Sequence, residues 1–138
     1  MSKLCCHNDA VKRFVRSELG CSCPDEVFDN IHLLQHAAAF ANADKVYDIG
    51  GRLLVALYLP EEWREIENQL EQLVESGRKY RDQHGYNRLR FVIATDDNKP
   101  AEILYGVFNS LSNVDAKVHL HVVKLQSLPA DVFQLTVQ

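Results

Sequence analysis

The sequence predicts a single-domain protein of the α/β class over residues 1–138, with α+β as the alternative. We expect a sandwich built on one mixed sheet, with N-terminal helices, then a hairpin, then a β-α-β-α-β unit. The near-continuous apolar runs RLLVALYL (52–59) and RLRFVIAT (88–95) are typical of strands buried on both faces. A long amphipathic stretch separates them, and it can form the crossover that parallel strands require.

The N-terminal part is predicted as two helices followed by an extended segment. Apolar residues recur at helical spacing over residues 8–19, and residues 1–7 are expected to form a flexible tail. Gly20 is suited to end this helix, and a short second helix over 24–30 begins with a proline. Residues 31–42 fit either a helix or a strand. We expect a strand at their start, because β-branched and aromatic residues cluster there before the alanines.

The middle of the chain is predicted as a hairpin and a long helix. KVYDIGGRLLVALYLP is typical of two extended segments, with Gly50 and Gly51 at a tight turn or bulge between them. Pro60 and the two glutamates after it suit a helix N-terminus, and the apolar stripe that follows predicts a helix from about Pro60 to about His84. Gly85 then ends the helix.

The last third of the chain is predicted as strand, helix and strand. RLRFVIAT forms a buried strand, and a loop leads to a helix that begins near Pro100. AKVHLHVVKL, residues 116–125, forms the last clear strand, and a weaker extended tail runs through Val132 and Leu135. If the successive strands are parallel, right-handed crossovers connect them.

The charge of the chain argues against non-specific nucleic-acid binding. The formal net charge is −4, whereas such proteins concentrate Lys and Arg against phosphate. One basic cluster stands out, formed by Arg78, Lys79, Arg81, Arg88 and Arg90. We explain it as a solvated helix end followed by the outer face of a strand, with contact to an anionic partner as the alternative.

The N-terminus and the hydropathy pattern predict a cytoplasmic protein. MSKLCCHNDAVKRF lacks the apolar core of a signal peptide, and no stretch approaches the ~20 apolar residues of a membrane span. In a reducing compartment the 4 cysteines are expected as free thiols. A structural disulfide framework is therefore not expected.

Cys21 and Cys23 lie where one helix is predicted to end and the next to begin. The positive end of a helix stabilises a thiolate, the form that attacks electrophiles and binds soft metals. Asp25 and Glu26 act in the opposite direction, because nearby negative charge raises a thiol pKa. The C-x-C spacing is tighter than that of the usual zinc and thioredoxin-like sites. The structural alternative is that these cysteines pack as small apolar side chains.

Three residues near the N-terminus, Cys5, Cys6 and His7, are candidate additional ligands for zinc or another soft metal. The first predicted helix separates its ends by roughly 16 Å, from its rise per residue. Both thiol pairs therefore meet at one metal only if the N-terminal tail doubles back along the helix.

Histidines form a second constellation. His32 and His36 are four residues apart, and His119 and His121 share a strand face. Neutral imidazoles on one face are suitable ligands for zinc, nickel or copper. We favour solvent-facing histidines as the explanation, because no H-E-x-x-H pattern is present.

Asp96 and Asp97, within ATDDNKP, form a possible ligand site at the end of a strand. Open α/β sheets bind ligands at the carboxyl ends of their strands, and adjacent carboxylates can bind Mg²⁺ or act as acid and base. The alternative is that Asp97 and Asn98 cap the next helix and turn the chain. The sequence contains no P-loop, no G-x-S-x-G elbow and no G-x-G-x-x-G dinucleotide pattern.

The stretches VKRFVRSELGCSCPDEVF and IGGRLLVALYL resemble a family of uncharacterised small prokaryotic proteins. In that family an LGCxCPxEVF-like segment ends the first helix and a GGRLLV-like strand follows. The resemblance implies an extended segment at NIHLLQ. It brings no activity with it, so no catalytic residue is carried over.

These observations lead to three hypotheses of function. The first is a small accessory protein in which Cys21 and Cys23 bind a metal or take part in thiol redox chemistry with a partner protein. The second is a noncatalytic interaction domain that self-associates, for instance as a homodimer, through a sheet edge or the exposed face of the long helix. The third is a small-molecule enzyme built on Asp96 and Asp97. We expect no nucleic acid and no membrane among the partners.

Overall fold

The chain folds into one five-stranded mixed sheet with helices packed against both of its faces. The predicted single-domain fold with a mixed sheet is confirmed. This computed structural model describes residues 2–17, 19–20, 25–34, 40, 43–97 and 99–128, with side chains in the first helix described from Ala10 onward.

The elements follow the predicted order. They are α1 (Ser2–Ser17), a 3₁₀ helix (Asp25–Asp29), β1 (Ile31–Leu34), β2 (Lys45–Ile49), β3 (Leu53–Tyr58), α2 (Trp63–His84), β4 (Arg88–Ala94), α3 (Pro100–Ser110), β5 (Val118–Val123) and a 3₁₀ helix (Leu125–Ser127). The strand expected at the start of residues 31–42 is present as β1. The extended tail expected through Val132 and Leu135 lies outside the described residues.

The five strands lie in the sheet in the order in which they occur along the chain. β1, β2 and β3 pair antiparallel, whereas β3, β4 and β5 pair parallel. Helices α2 and α3 supply the two crossovers of the parallel part. The predicted hairpin followed by a β-α-β-α-β unit is therefore confirmed. The order of the described strands advances without reversal, so they form no switch point of the kind at which doubly wound folds have their ligand crevice.

The two faces of the sheet carry separate apolar clusters. On one face α2 and α3 pack against alternate residues of the strands, such as Leu54 and Phe91. On the other face α1 and the first 3₁₀ helix pack against Leu53, Val55 and Leu57. All six residues of β3 are buried, as the apolar run predicts.

Two helix boundaries differ from the prediction. α1 begins at Ser2 instead of residue 8, so the backbone of residues 2–7 continues the helix where a tail is predicted. α2 begins at Trp63 and not at Pro60. The Leu59 N–H donates to a carboxylate oxygen of Asp44 at 2.7 Å, which holds the chain beyond β3 and delays the start of the helix.

The basic cluster is divided between the two sides of the sheet. The explanation by a solvated surface is wrong for Arg81 and Arg90, because the Arg81 side chain is 6% exposed and Arg90 is 8% exposed. Arg81 makes a bidentate pair with Asp115, at 2.9 and 2.7 Å, and also contacts Asp82. This pair ties α2 to the loop that leads into β5.

The β2–β3 hairpin turns on two adjacent glycines with positive φ, Gly50 at 64° and Gly51 at 69°. They differ in their surroundings. A Cβ atom on Gly50 would lie 2.5 Å from the carbonyl oxygen of Val27, whereas a Cβ on Gly51 would have no heavy atom within 4 Å. The backbone of the first 3₁₀ helix therefore packs directly on Gly50.

We expect Gly51→Ala to lower the free energy of unfolding by about 1 kcal/mol, the cost of a left-handed alanine. We expect Gly50→Ala to lower it by about 2 to 4 kcal/mol, because the clash with Val27 adds to that cost. Urea unfolding of both variants measures the difference. Equal losses would contradict the close contact between the hairpin turn and the 3₁₀ helix.

The Arg81 pair predicts a pH-dependent contribution to stability. The hydrogen bond from Arg81 is the main cause that lowers the Asp115 pKa to about 2. A lowered carboxyl pKa stabilises the fold above the unfolded-state pKa of about 4, and the contribution is lost as the pH falls toward 2.

We expect Asp115→Asn to lower the free energy of unfolding by about 1 to 2 kcal/mol at pH 7, a value reduced for solvent screening because the Asp115 side chain is 37% exposed. The difference from wild type should shrink between about pH 4 and pH 2. Chemical unfolding across this range measures it. Asp82→Asn is the control, and because that side chain is 63% exposed we expect a smaller effect. A loss that does not change with pH would contradict the ion pair.

Candidate functional site

Two polar residues of β4 and two of β5 are neighbours on the face of the sheet that packs against α1. Side chains alternate along a strand, and Leu89, Phe91 and Leu120 pack into the cluster under α2 and α3. Their neighbours therefore point to the opposite face. We call these neighbours the arginine–histidine ladder; it consists of Arg88, Arg90, His119 and His121.

The ladder is held by the parallel pairing of the two strands, in which Arg90 lies directly opposite His119. Arg90 Nη1 donates a hydrogen bond to His121 Nε2 at 2.8 Å and another to the carbonyl oxygen of Leu19 at 2.9 Å. Arg88 Nη1 lies 3.5 Å from His119 Nε2. Arg90 is buried and the other three residues are partly exposed. The ladder thus joins two strands to the segment that follows α1.

Each arginine of the ladder influences the protonation state of the histidine that it contacts. A guanidinium group only donates hydrogen bonds, so Nε2 of His121 accepts and the ring proton is on Nδ1. Burial, followed by the charge of Arg90, lowers the His121 pKa to about 4. Burial and the charges of Arg90 and Arg88 also lower the His119 pKa, although Asp115 acts in the opposite direction. Both imidazoles are therefore neutral near pH 7.

The charge of the ladder is not balanced by any carboxylate that the structure describes. Arg81 has Asp115 and Asp82 as ion-pair partners, whereas neither Arg88 nor Arg90 has such a partner among the described residues. Arg90 Nε is buried and has no hydrogen-bond partner there. Burial, with the charge of Arg88 as a second cause, lowers the Arg90 pKa. The guanidinium nonetheless keeps its charge, because an arginine pKa lies far above neutrality.

The structure describes only part of the predicted thiol site. Cys21 and Cys23 lie outside the described residues. The backbone of Cys5, Cys6 and His7 is part of α1, and their side chains are outside the description. Because α1 is continuous, Cys5 lies about 18 Å from Ser17 along the helix axis. This separation disfavours one metal site that holds both thiol pairs.

No group of three His, Cys, Asp or Glu residues that could hold a metal ion is present in the part of the chain that the structure describes. Of the predicted histidines, His32 is exposed on β1, and His36 lies outside this part. His119 and His121 share a face, as predicted. They are partly exposed and also contact arginines, so the expectation of solvent-facing histidines is met only in part for this pair.

Asp96 and Asp97 are exposed beyond the carboxyl end of β4. The Asp97 carboxylate accepts a hydrogen bond from the Lys99 N–H at 3.1 Å, and the Asp97 N–H donates to the Thr95 hydroxyl at 3.2 Å. Asp97 therefore turns the chain before α3. A ligand role for Asp96 and Asp97 stays a prediction.

From the sequence, the two arginines of the ladder are predicted only as members of the basic cluster, with contact to an anionic partner as the alternative, and are not connected with His119 and His121. A signal for them is present in the sequence, because RLRFV and HLHVV both place polar residues at alternate positions of an apolar strand. This alternation predicts two polar rows. It does not predict that the rows are adjacent, because that requires the pairing of β4 with β5 and its register.

Among the described residues, no helix is long and apolar enough to cross a membrane. Comparison with known proteins assigns no family to the chain. No protein-family model, no curated protein sequence and no solved structure matches it.

Proposed function

We propose that this protein is a small accessory protein that uses Cys21 and Cys23 to bind a soft metal such as zinc, or to carry out thiol chemistry with a partner protein. One observation carries the proposal. The buried guanidinium of Arg90 donates a hydrogen bond to the carbonyl oxygen of Leu19, two residues before Cys21. A cation without a described carboxylate partner is thus anchored at the start of the segment that contains both thiols.

The chemistry of a cysteine beside such a cation supports this function. Two residues of extended chain span at most about 7 Å, so Cys21 is tied close to Leu19 by covalent geometry. Positive charge nearby lowers a thiol pKa and favours the thiolate, which is both the nucleophile and the metal ligand. Glu26 is exposed, so solvent screens its opposing effect.

The alternative of a self-associating interaction domain has less support at the edge of the sheet formed by β5. The hydroxyl of Tyr105 on α3 accepts a hydrogen bond from the Val122 N–H at 2.8 Å. That N–H points away from β4, because Thr95 donates to the carbonyl of the next residue, Val123, on the β4 side. α3 therefore occupies a donor that a second copy would need for strand pairing.

The cysteine proposal is tested with two matched double variants, Cys21→Ser with Cys23→Ser and Cys5→Ser with Cys6→Ser. The protein is purified anaerobically without a metal-affinity tag, and bound metal and the pH dependence of thiol alkylation are measured. We expect about one bound metal per chain or a thiol pKa below about 8.5 in wild type. We expect the first variant to lose this property and the second to keep it.

Circular dichroism of both variants controls for the fold. The proposal is contradicted if the Cys21 and Cys23 variant keeps the metal content and thiol reactivity of wild type. It is also contradicted if wild type holds no metal and its thiols react with an ordinary pKa, since Cys21 and Cys23 would then be packing residues.

A further inference from the structure

We propose that the arginine–histidine ladder binds a small oxyanion of the phosphate class on the face of the sheet beside α1. This inference goes beyond the proposed function and does not involve the cysteines. It rests on the hydrogen-bonding groups and the charges of Arg88, Arg90, His119 and His121.

The ladder has many donors and few acceptors. Guanidinium groups carry five N–H donors each and no acceptor. The two Nε2 atoms face the arginines, which leaves the Nδ1–H of each imidazole as a further donor. Among the described residues, the Leu19 carbonyl and His121 Nε2 are the acceptors that Arg90 contacts. A phosphate group has the opposite character, because its oxygens accept hydrogen bonds and carry negative charge.

A second observation is the state of Arg90 itself. It is 8% exposed, and its buried Nε has no described partner. A buried charge is costly unless an opposite charge or full hydrogen bonding compensates it. The same chain gives its other buried arginine, Arg81, two carboxylates. Arg90 thus differs from Arg81 in having no described carboxylate beside it, and a bound anion would supply the missing charge.

The exposure of the ladder residues indicates the side from which a ligand can approach. Arg90 is buried and hydrogen-bonded to the Leu19 carbonyl, whereas Arg88 and His119 are partly exposed. An anion can therefore reach the ladder from the side of Arg88 and His119, with Arg90 behind them. The described carboxylate that acts on His119 is Asp115, and both of its oxygens are occupied by Arg81. It therefore repels the anion only weakly.

The test is a titration of the purified protein with inorganic phosphate, followed by NMR of the histidine ring nitrogens, with sodium chloride at equal ionic strength as the reference. We expect saturable shifts at His119 and His121. Arg88→Gln should weaken binding about tenfold, the effect of losing a charged hydrogen bond. Arg64→Gln is the matched control, because Arg64 is exposed on α2 and pairs with Glu62. It should bind phosphate like wild type.

Two further arms separate the possible outcomes. Methyl phosphate identifies the source of the ligand, since binding of both compounds points to a phosphorylated molecule and binding of inorganic phosphate alone points to the free ion; both support the site. The Cys21→Ser, Cys23→Ser variant should bind phosphate at least as tightly as wild type, because the ladder's ligands remain and any repulsion from a thiolate is removed. This holds even if the cysteine proposal fails. Shifts no larger than those with chloride, an Arg88→Gln variant that binds like wild type, or loss of binding in the serine variant would overturn the assignment to the ladder.

Discussion

Every side chain of β3 is buried, and this constraint determines the layout of the rest of the molecule. A strand that is buried on both faces needs apolar cover on both sides of the sheet. The crossover helices α2 and α3 provide it on one face, because they connect the parallel strands. The other face depends on α1 and the first 3₁₀ helix, which pack over β2 and β3 through residues such as Phe14 and Val27. Residues of the central strands thus belong to two separate cores.

The position of α1 also determines where polar groups can remain on that face. Beyond α1, toward β5, the polar residues of this face are the two arginines in the first half of β4 and the two histidines of β5. At the other end of β4, Val92 and Ala94 are buried in the apolar cluster. Arg90 lies at the boundary between these regions. Its burial is compatible with the fold because Leu19 and a neutral His121 both accept hydrogen bonds from it. Among the described residues, the apolar cover of this face therefore ends where the ladder begins.

The features that the sequence predicts are those with a local cause. The buried strands and α2 come from apolar runs and helical periodicity, and the turn at Gly50 comes from a residue that tolerates positive φ. Two features that the sequence does not predict, the observed start of α2 and the ladder, have non-local causes. Asp44 holds the chain at Leu59 from 15 positions away, and Arg90 contacts Leu19 from 71 positions away. Periodicity carries no information on which rows of side chains become neighbours. The candidate site therefore becomes visible only when the pairing and register of β4 and β5 are known.

The two proposals invoke the same positive charge, so a cysteine site and an anion site in this protein would be coupled. A thiolate at Cys21 and an oxyanion on the ladder would both be stabilised by the positive charge of Arg88 and Arg90. Occupation of the ladder by an anion would neutralise this field and raise the thiol pKa, while ionisation of the thiol would weaken anion binding by the same factor. The coupling is strongest where solvent does not screen it, which is at Arg90, since this residue is both buried and bonded to the chain leading to Cys21.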